Sequence, residues 1–324
     1  MKDGPSLTGH VLTSLFFVAT DDASRTSFAR GRDYLAKVPL DPPTFAVYTA
    51  AEISWVLGFD GQHTRRQMEW IQFLRDRQMN ERNRWVHMDE SFGGWNYSPD
   101  IPTQPKISPN PRVPEGGNLS ATLFALGAFR SAKVAADDPV YRDALVFVQR
   151  CQNFDTDDAR FDDGGFFFAP YDTARNKAGV AGTDSRGRVR FHSYGSMTAD
   201  GVRALLACGL PPDHPRVVAA RDWLIKNFTV SNNPGQFERD REVIRDATYY
   251  YYCWSLAHAM TRLTITEIET PSGKIDWRAA LSRELISRQR QDGSWTNRFS
   301  DTKEDDPLVA TPFAVAALVI CRDR

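Results

Sequence analysis

The sequence predicts an all-α protein, an (α/α)6 toroid or barrel of alternating inner and outer helices, formed as one domain over residues 1–324. Two observations predict it. Helix-length segments apolar nearly all round alternate with segments that carry a charged stripe; the first kind is buried on most sides and the second faces water. A unit also recurs along the chain: an amphipathic helix ending in Arg-x-Gln or Arg-Gln, a glycine-aromatic turn, then an apolar helix rich in small residues. Hairpins of this kind cannot bury their inner faces alone and close around a common core.

The opening helix is read at Leu7–Ala19. A degenerate unit follows, Ser24–Leu35 with Thr44–Leu57. The first full copy runs from Trp70 through Arg77 and Gln78 to Gly93-Gly94-Trp95, then into the helix Asn118–Arg130. Its outer face carries charges such as Arg65, Arg66, Glu69 and Arg75. The second runs from Tyr141 through Arg150 and Gln152 to Asp163-Gly164-Gly165-Phe166, then Tyr194–Gly209. Another degenerate unit, Arg216–Phe228 with Asp246–Met260, precedes the third full copy, which runs from Trp277 through Arg288 and Gln289 to Asp292-Gly293-Ser294-Trp295 and Pro307–Cys321. The sum is about eleven helices, six inner and five outer. Long connections at 79–117 and 152–193 each follow an outer helix and are expected to cover the end of the barrel where inner helices begin.

With 41% hydrophobic and 25% charged residues the chain suits a globular fold with a large core, and a net charge of -1 gives no field for nucleic acid. Cys151, Cys208, Cys253 and Cys321 lie far apart in or beside apolar runs, without a CxxC pair, and read as buried thiols of a reducing, cytoplasmic compartment. No run reaches the roughly 18 apolar residues of a membrane span, although peripheral membrane contact stays open. A secretion signal over Leu7–Ala19 is the minor alternative, opposed by His10 within the run and Asp3 before it.

Gln289-Arg-Gln-Asp-Gly293-Ser-Trp295 matches QxxxGxW, and with the Gln78/Trp95 and Gln152/Phe166 copies the chain resembles, over nearly its whole length, the squalene-hopene cyclase and prenyltransferase repeat superfamily. The resemblance implies the toroid, and implies that these motifs are structural: the glutamine caps an outer helix and the tryptophan packs over it. Class II terpene cyclases protonate substrate with an Asp-x-Asp-Asp-Thr-Ala motif at an inner-helix start. Tyr194-Gly-Ser196-Met-Thr198-Ala199 aligns there without the aspartates, and the last inner helix offers Val309-Ala-Thr311-Pro312. Asp155-Thr-Asp157-Asp158 supplies the acid string, but in a long loop. The zinc ligands of related prenyltransferases are not reproduced: Cys253 and His258 share a helix but are five apart. No cofactor or metal is expected.

Phasing each inner helix on its polar stripe places Asp200, Arg203 and Ser196 towards the lumen, Tyr48 and Glu52 on the helix from Thr44, Asn118 and Thr122 on the next, and His10 on the first. The run Tyr249-Tyr250-Tyr251-Tyr252 must send one or two phenols inward, with Tyr249 and Tyr250 taken as the candidates. His192 and Tyr194 stand at the lumen mouth. Asp200, Glu52, Asp157 and Asp158 are the candidate catalytic acids. The remaining residues, His10, Tyr48, Asn118, His192, Tyr194, Ser196, Arg203, Tyr249 and Tyr250, are candidate substrate contacts. The expected function is acid-base chemistry on an isoprenoid or other apolar small molecule, or its binding. The alternatives are a non-catalytic lipid- or protein-binding toroid and a carbohydrate-active α/α toroid.

Overall fold

The computed structural model describes residues 4–42, 44–104, 116–270, 273–300 and 302–322. Asp3, weighed above against a signal sequence, lies outside them, as does part of the 79–117 connection. Among the described residues are eleven α-helices, 52% of the chain, and two small antiparallel sheets. The helices are α1 (Gly4–Val18), α2 (Asp22–Leu35), α3 (Ala46–Gly58), α4 (Thr64–Asp76), α5 (Leu119–Ser131), α6 (Pro139–Arg150), α7 (Gly195–Ala207), α8 (Pro215–Lys226), α9 (Tyr249–Arg262), α10 (Trp277–Ser287) and α11 (Pro307–Arg322). Hairpins β1–β2 (Val180–Thr183, Val189–Phe191) and β3–β4 (Glu267–Thr270, Gly273–Asp276) were not anticipated. None of the helices is long and apolar enough to cross a membrane.

Local chemistry explains the helix starts. Asp21, Asn118 and Asp276 each accept a backbone N–H of the first turn, at 2.8, 2.9 and 3.0 Å, and Pro215 opens α8 with the φ a first turn needs. Burial follows the alternation: α3, α5, α7 and α9 are buried along nearly their whole length, whereas α2, α4, α6, α8 and α10 each keep an exposed face.

The chain packs as two compact units, the first Met1–Arg150 with Ala207–Gly209, the second Cys151–Leu206 with Leu210–Arg324. In the first, α3 lies against α1, α4 and α5. In the second, α9 lies against α11, which also packs on α10.

The glycine-aromatic turns are built alike. The Gln78, Gln152 and Gln289 amides donate to the carbonyls of Gly93, Gly164 and Gly293 at 3.1, 3.0 and 2.9 Å, and those glycines sit at φ of 88°, 82° and 82°. The N–H of the closing aromatic, Trp95, Phe166 or Trp295, donates to a threonine one turn into the next helix, Thr122, Thr198 or Thr311, at 3.1, 3.0 and 3.1 Å. Each tryptophan also donates its indole N–H back to its own preceding helix, Trp95 to Leu74 O and Trp295 to Leu285 O, both at 2.7 Å. Phe166 has no such donor. The threonine of each following helix is thus a fastening between turn and helix.

The cysteines form no disulfide; Cys151, Cys253 and Cys321 are buried. Burial pushes the Cys208 thiol up to about 12 and Cys321 to about 11, which disfavours the thiolate form.

Candidate functional site

A buried polar cluster forms where α7 meets α9. Asp200 is fully buried. Tyr251 donates its phenol to Asp200 Oδ2 at 2.5 Å, and the Ser255 hydroxyl donates to Oδ1. Tyr251 and Ser255 are four apart and so share one face of α9. Arg203 lies 3.7 Å from the same carboxylate, donates to Ser255 Oγ at 3.0 Å, and stacks on the Trp254 ring at 4.1 Å. Phe313 of α11 closes the aromatic wall, its ring centroid 5.4 Å from both Tyr251 and Trp254.

Burial drives the Asp200 carboxyl up to about 6, against the opposing pull of Arg203, Ser255 and Tyr251. Loss of solvation outweighs three stabilising partners, because a charge in this interior forfeits more hydration than they return. Burial likewise lowers the Arg203 guanidinium to about 10, although Asp200 opposes the shift.

A second buried acid, Glu304, sits where sequence reasoning did not look. Its carboxylate accepts the N–H groups of Tyr250 and Tyr251 at 3.0 and 2.9 Å and the Asn297 amide at 3.1 Å. It therefore caps α9 in place of Thr248, whose side chain makes no cap. Burial pushes it up to about 7 even so. The cap holds the backbone of the same Tyr251 whose phenol reaches Asp200. The only signal in the sequence was an acid just before the last apolar helix.

The other predicted residues separate. His10 and Glu52 meet across α1 and α3 at 2.9 Å, both buried, within the first unit. On α3 the Tyr48 ring stacks on Tyr97 and lies edge-on to Phe124, with centroids 5.6 and 4.7 Å away. Asn118 is occupied as the N-cap of α5, and Thr122 by the turn. Ser196 is tied to Asn233, whose side chain accepts its N–H at 2.9 Å and donates to its hydroxyl at 3.2 Å. Tyr194 is buried and starts α7, its N–H donating to Phe166 O at 3.2 Å. His192 is half-buried, and desolvation lowers its pKa.

Of the four tyrosines, Tyr249, Tyr250 and Tyr252 donate their phenols to the loop carbonyls of Val230, Thr296 and Thr229, at 2.7, 3.2 and 2.7 Å. Tyr251, not Tyr249 or Tyr250, meets the acid. Asp157 is paired with Arg186 and Arg188 at 2.7 and 2.8 Å, and Asp158 with Arg160. The Asp157 pairs pin the β1–β2 hairpin to its loop, and the Arg160 hydrogen bond is the chief cause that holds Asp158 below the usual carboxylate range. Beside them, a surface cleft of about 520 Å3 is lined by Phe154, Asp155, Asp163, Trp223 and Lys226 among others.

No group of His, Cys, Asp and Glu among the described residues is arranged to hold a metal ion. No protein-family model and no curated protein matches the chain.

Proposed function

We propose that this chain is an α/α-toroid enzyme that works by acid-base chemistry on an apolar small molecule of isoprenoid type, with Asp200 as its proton donor. The observation that carries the reading is the fully buried Asp200 carboxyl, raised to about 6 and held among Tyr251, Trp254 and Phe313. A carboxylic acid kept partly protonated near neutrality transfers a proton readily, and such tuning is characteristic of catalytic acids. The aromatic faces suit a carbocation formed by that transfer, each contributing on the order of 0.5–2 kcal/mol. The alternation of buried and half-exposed helices and the QxxxGxW-type turns support the toroid.

Incubation of the purified protein with squalene and with polyprenyl diphosphates tests the reading. Turnover is expected to fall at least about 100-fold in Asp200→Asn, the scale of a lost general acid. Because the donor must be protonated, the rate is expected to fall as pH rises through about 6. The same sign governs stability: a carboxyl raised on folding contributes stability below its unfolded pKa, and that contribution is lost as pH rises through about 6 for Asp200 and about 7 for Glu304. Full turnover by Asp200→Asn removes Asp200 from the reaction. A tightly retained, stoichiometric lipid without turnover favours the non-catalytic binding toroid, for which the saturated hydrogen bonding of Asp200 already speaks.

A further inference from the structure

Beyond Asp200, α9 carries a stripe that the acid-base reading does not use. Trp254, His258 and Arg262 are spaced four apart and share one face of the helix. Arg203 of α7 stacks on one end of this stripe, 4.1 Å from the Trp254 centroid, and His258 stands edge-on to the same indole at 5.3 Å. The guanidinium of Arg203 is nine-tenths buried, yet among the described residues its one hydrogen bond runs from Nη1 to Ser255; Nε and Nη2 donate to nothing. Asp200, at 3.7 Å, is an ion pair beyond hydrogen-bond distance. The ring nitrogens of His258 also hydrogen-bond to no described residue, although the side chain keeps only intermediate exposure. Arg262 is exposed and makes no ion pair with any described residue, so the stripe opens to solvent.

We propose that Arg203, His258 and Arg262 form a binding site for an oxyanion, the phosphate or carboxylate group of a small molecule. Beyond Ser255 none of these donors meets an acceptor among the described residues, and the stripe opens to solvent at Arg262, so an oxyanion can take the place of water there. The electrostatics agree. Burial holds His258 well below its ordinary pKa, and the charged groups that add to this, Arg203 and Arg262, are both cations. Asp200 is the one carboxylate acting on Arg203, so the three groups of the stripe face a single acid. The C-terminal position of Arg262 on α9 is explained by the helix dipole alone. The dipole does not explain a buried arginine in the middle of α7 with two idle nitrogens, or a histidine flanked by two cations. A planar guanidinium and an imidazole N–H together match the geometry of phosphate and carboxylate oxygens.

The site shares Arg203 with the proposed acid but stands without it, and its test needs no turnover. The full chain, labelled with 15N-histidine, is titrated at pH 7 and constant ionic strength with inorganic phosphate, with acetate and with chloride. His258→Gln identifies the resonance. The expected result is a saturable shift of His258 with phosphate or acetate and not with chloride, accompanied by a rise in the pKa of His258. Preference for phosphate or for acetate names the ligand class. Arg262→Gln, at an exposed position that does not hold the fold, is expected to weaken binding about tenfold, the worth of one charge-assisted hydrogen bond. Asp200→Asn retains and tightens anion binding even where it abolishes turnover, so failure of the acid reading leaves this result standing. A His258 resonance that ignores both oxyanions, responds equally to chloride, or responds unchanged in Arg262→Gln overturns the proposal.

Discussion

The first two glycine-aromatic turns and the third share one hydrogen-bond pattern but differ in what lies over them. Gln78 donates not only to Gly93 O but to Val140 O, at the start of α6, at 3.0 Å; Gln152 likewise reaches Arg216 O, at the start of α8, at 2.8 Å. Both glutamines are buried. Gln289 donates to Gly293 O, and both residues are exposed. A Cβ added to Gly93 would stand 1.8 Å from Asp143 O, and one on Gly164 2.7 Å from Ala219 O, whereas on Gly293 the nearest atom is the Gln289 amide at 3.9 Å. The same motif therefore serves two ends: in every copy it folds the turn, and in the first two it also seats the start of the following outer helix. The cleanest match to the repeat, QRQDGSW, is the copy with the least to hold.

This difference can be tested in graded steps. The largest effect is expected for Gly93→Ala, where positive φ and a backbone collision combine. A loss of about 4 kcal/mol or more should appear in urea unfolding, with Gly164→Ala at roughly half that, since its clash is shallower. Next come the glutamines. Gln78→Ala and Gln152→Ala each remove two hydrogen bonds and leave the turn glycine's carbonyl without its donor, and are expected to cost about 2 kcal/mol, against less than about 0.5 kcal/mol for Gln289→Ala at the surface. Thr198→Val and Thr311→Val probe what the copies share and should cost a similar amount, about 1 kcal/mol each, because both leave the N–H of the turn aromatic without its acceptor. The smallest change of the glycine series is expected for Gly293→Ala, about 1 kcal/mol for positive φ alone. If Gly293→Ala proves as damaging as Gly164→Ala, a further segment covers the third turn in solution and the contrast fails.

The helices were legible because their signals are local. Apolar periodicity and the glycine-aromatic turns act within a few residues, so α3, α5, α7 and α9 lie close to their expected spans. The phasing of α7 also placed Asp200 and Arg203 on a common face, since spacing on one helix is fixed by the helix itself. Across helices this logic stops. Four consecutive tyrosines point about 100° apart, so each presents its phenol in a different direction, and only the packing of α9 on α7 selects Tyr251 rather than Tyr249 or Tyr250. Asp157 and Asp158 read as acids of a solvated loop, with a catalytic string the lesser alternative, and only the β1–β2 hairpin brings Arg186 and Arg188 against the first of them.

Sequence by itself determined a mostly helical chain of alternating buried and half-exposed helices, the repeated turns, and the common helical face of Asp200 and Arg203. Tertiary structure alone decided which side chains meet that pair, that Glu304 caps α9 from 54 residues away, and that Arg203 keeps idle donors beside His258. The division has a physical cause. Periodicity, capping and turn geometry are short-range consequences of covalent structure, whereas hydrogen bonds between distant segments and the desolvation that raises a carboxyl exist only once the helices have packed.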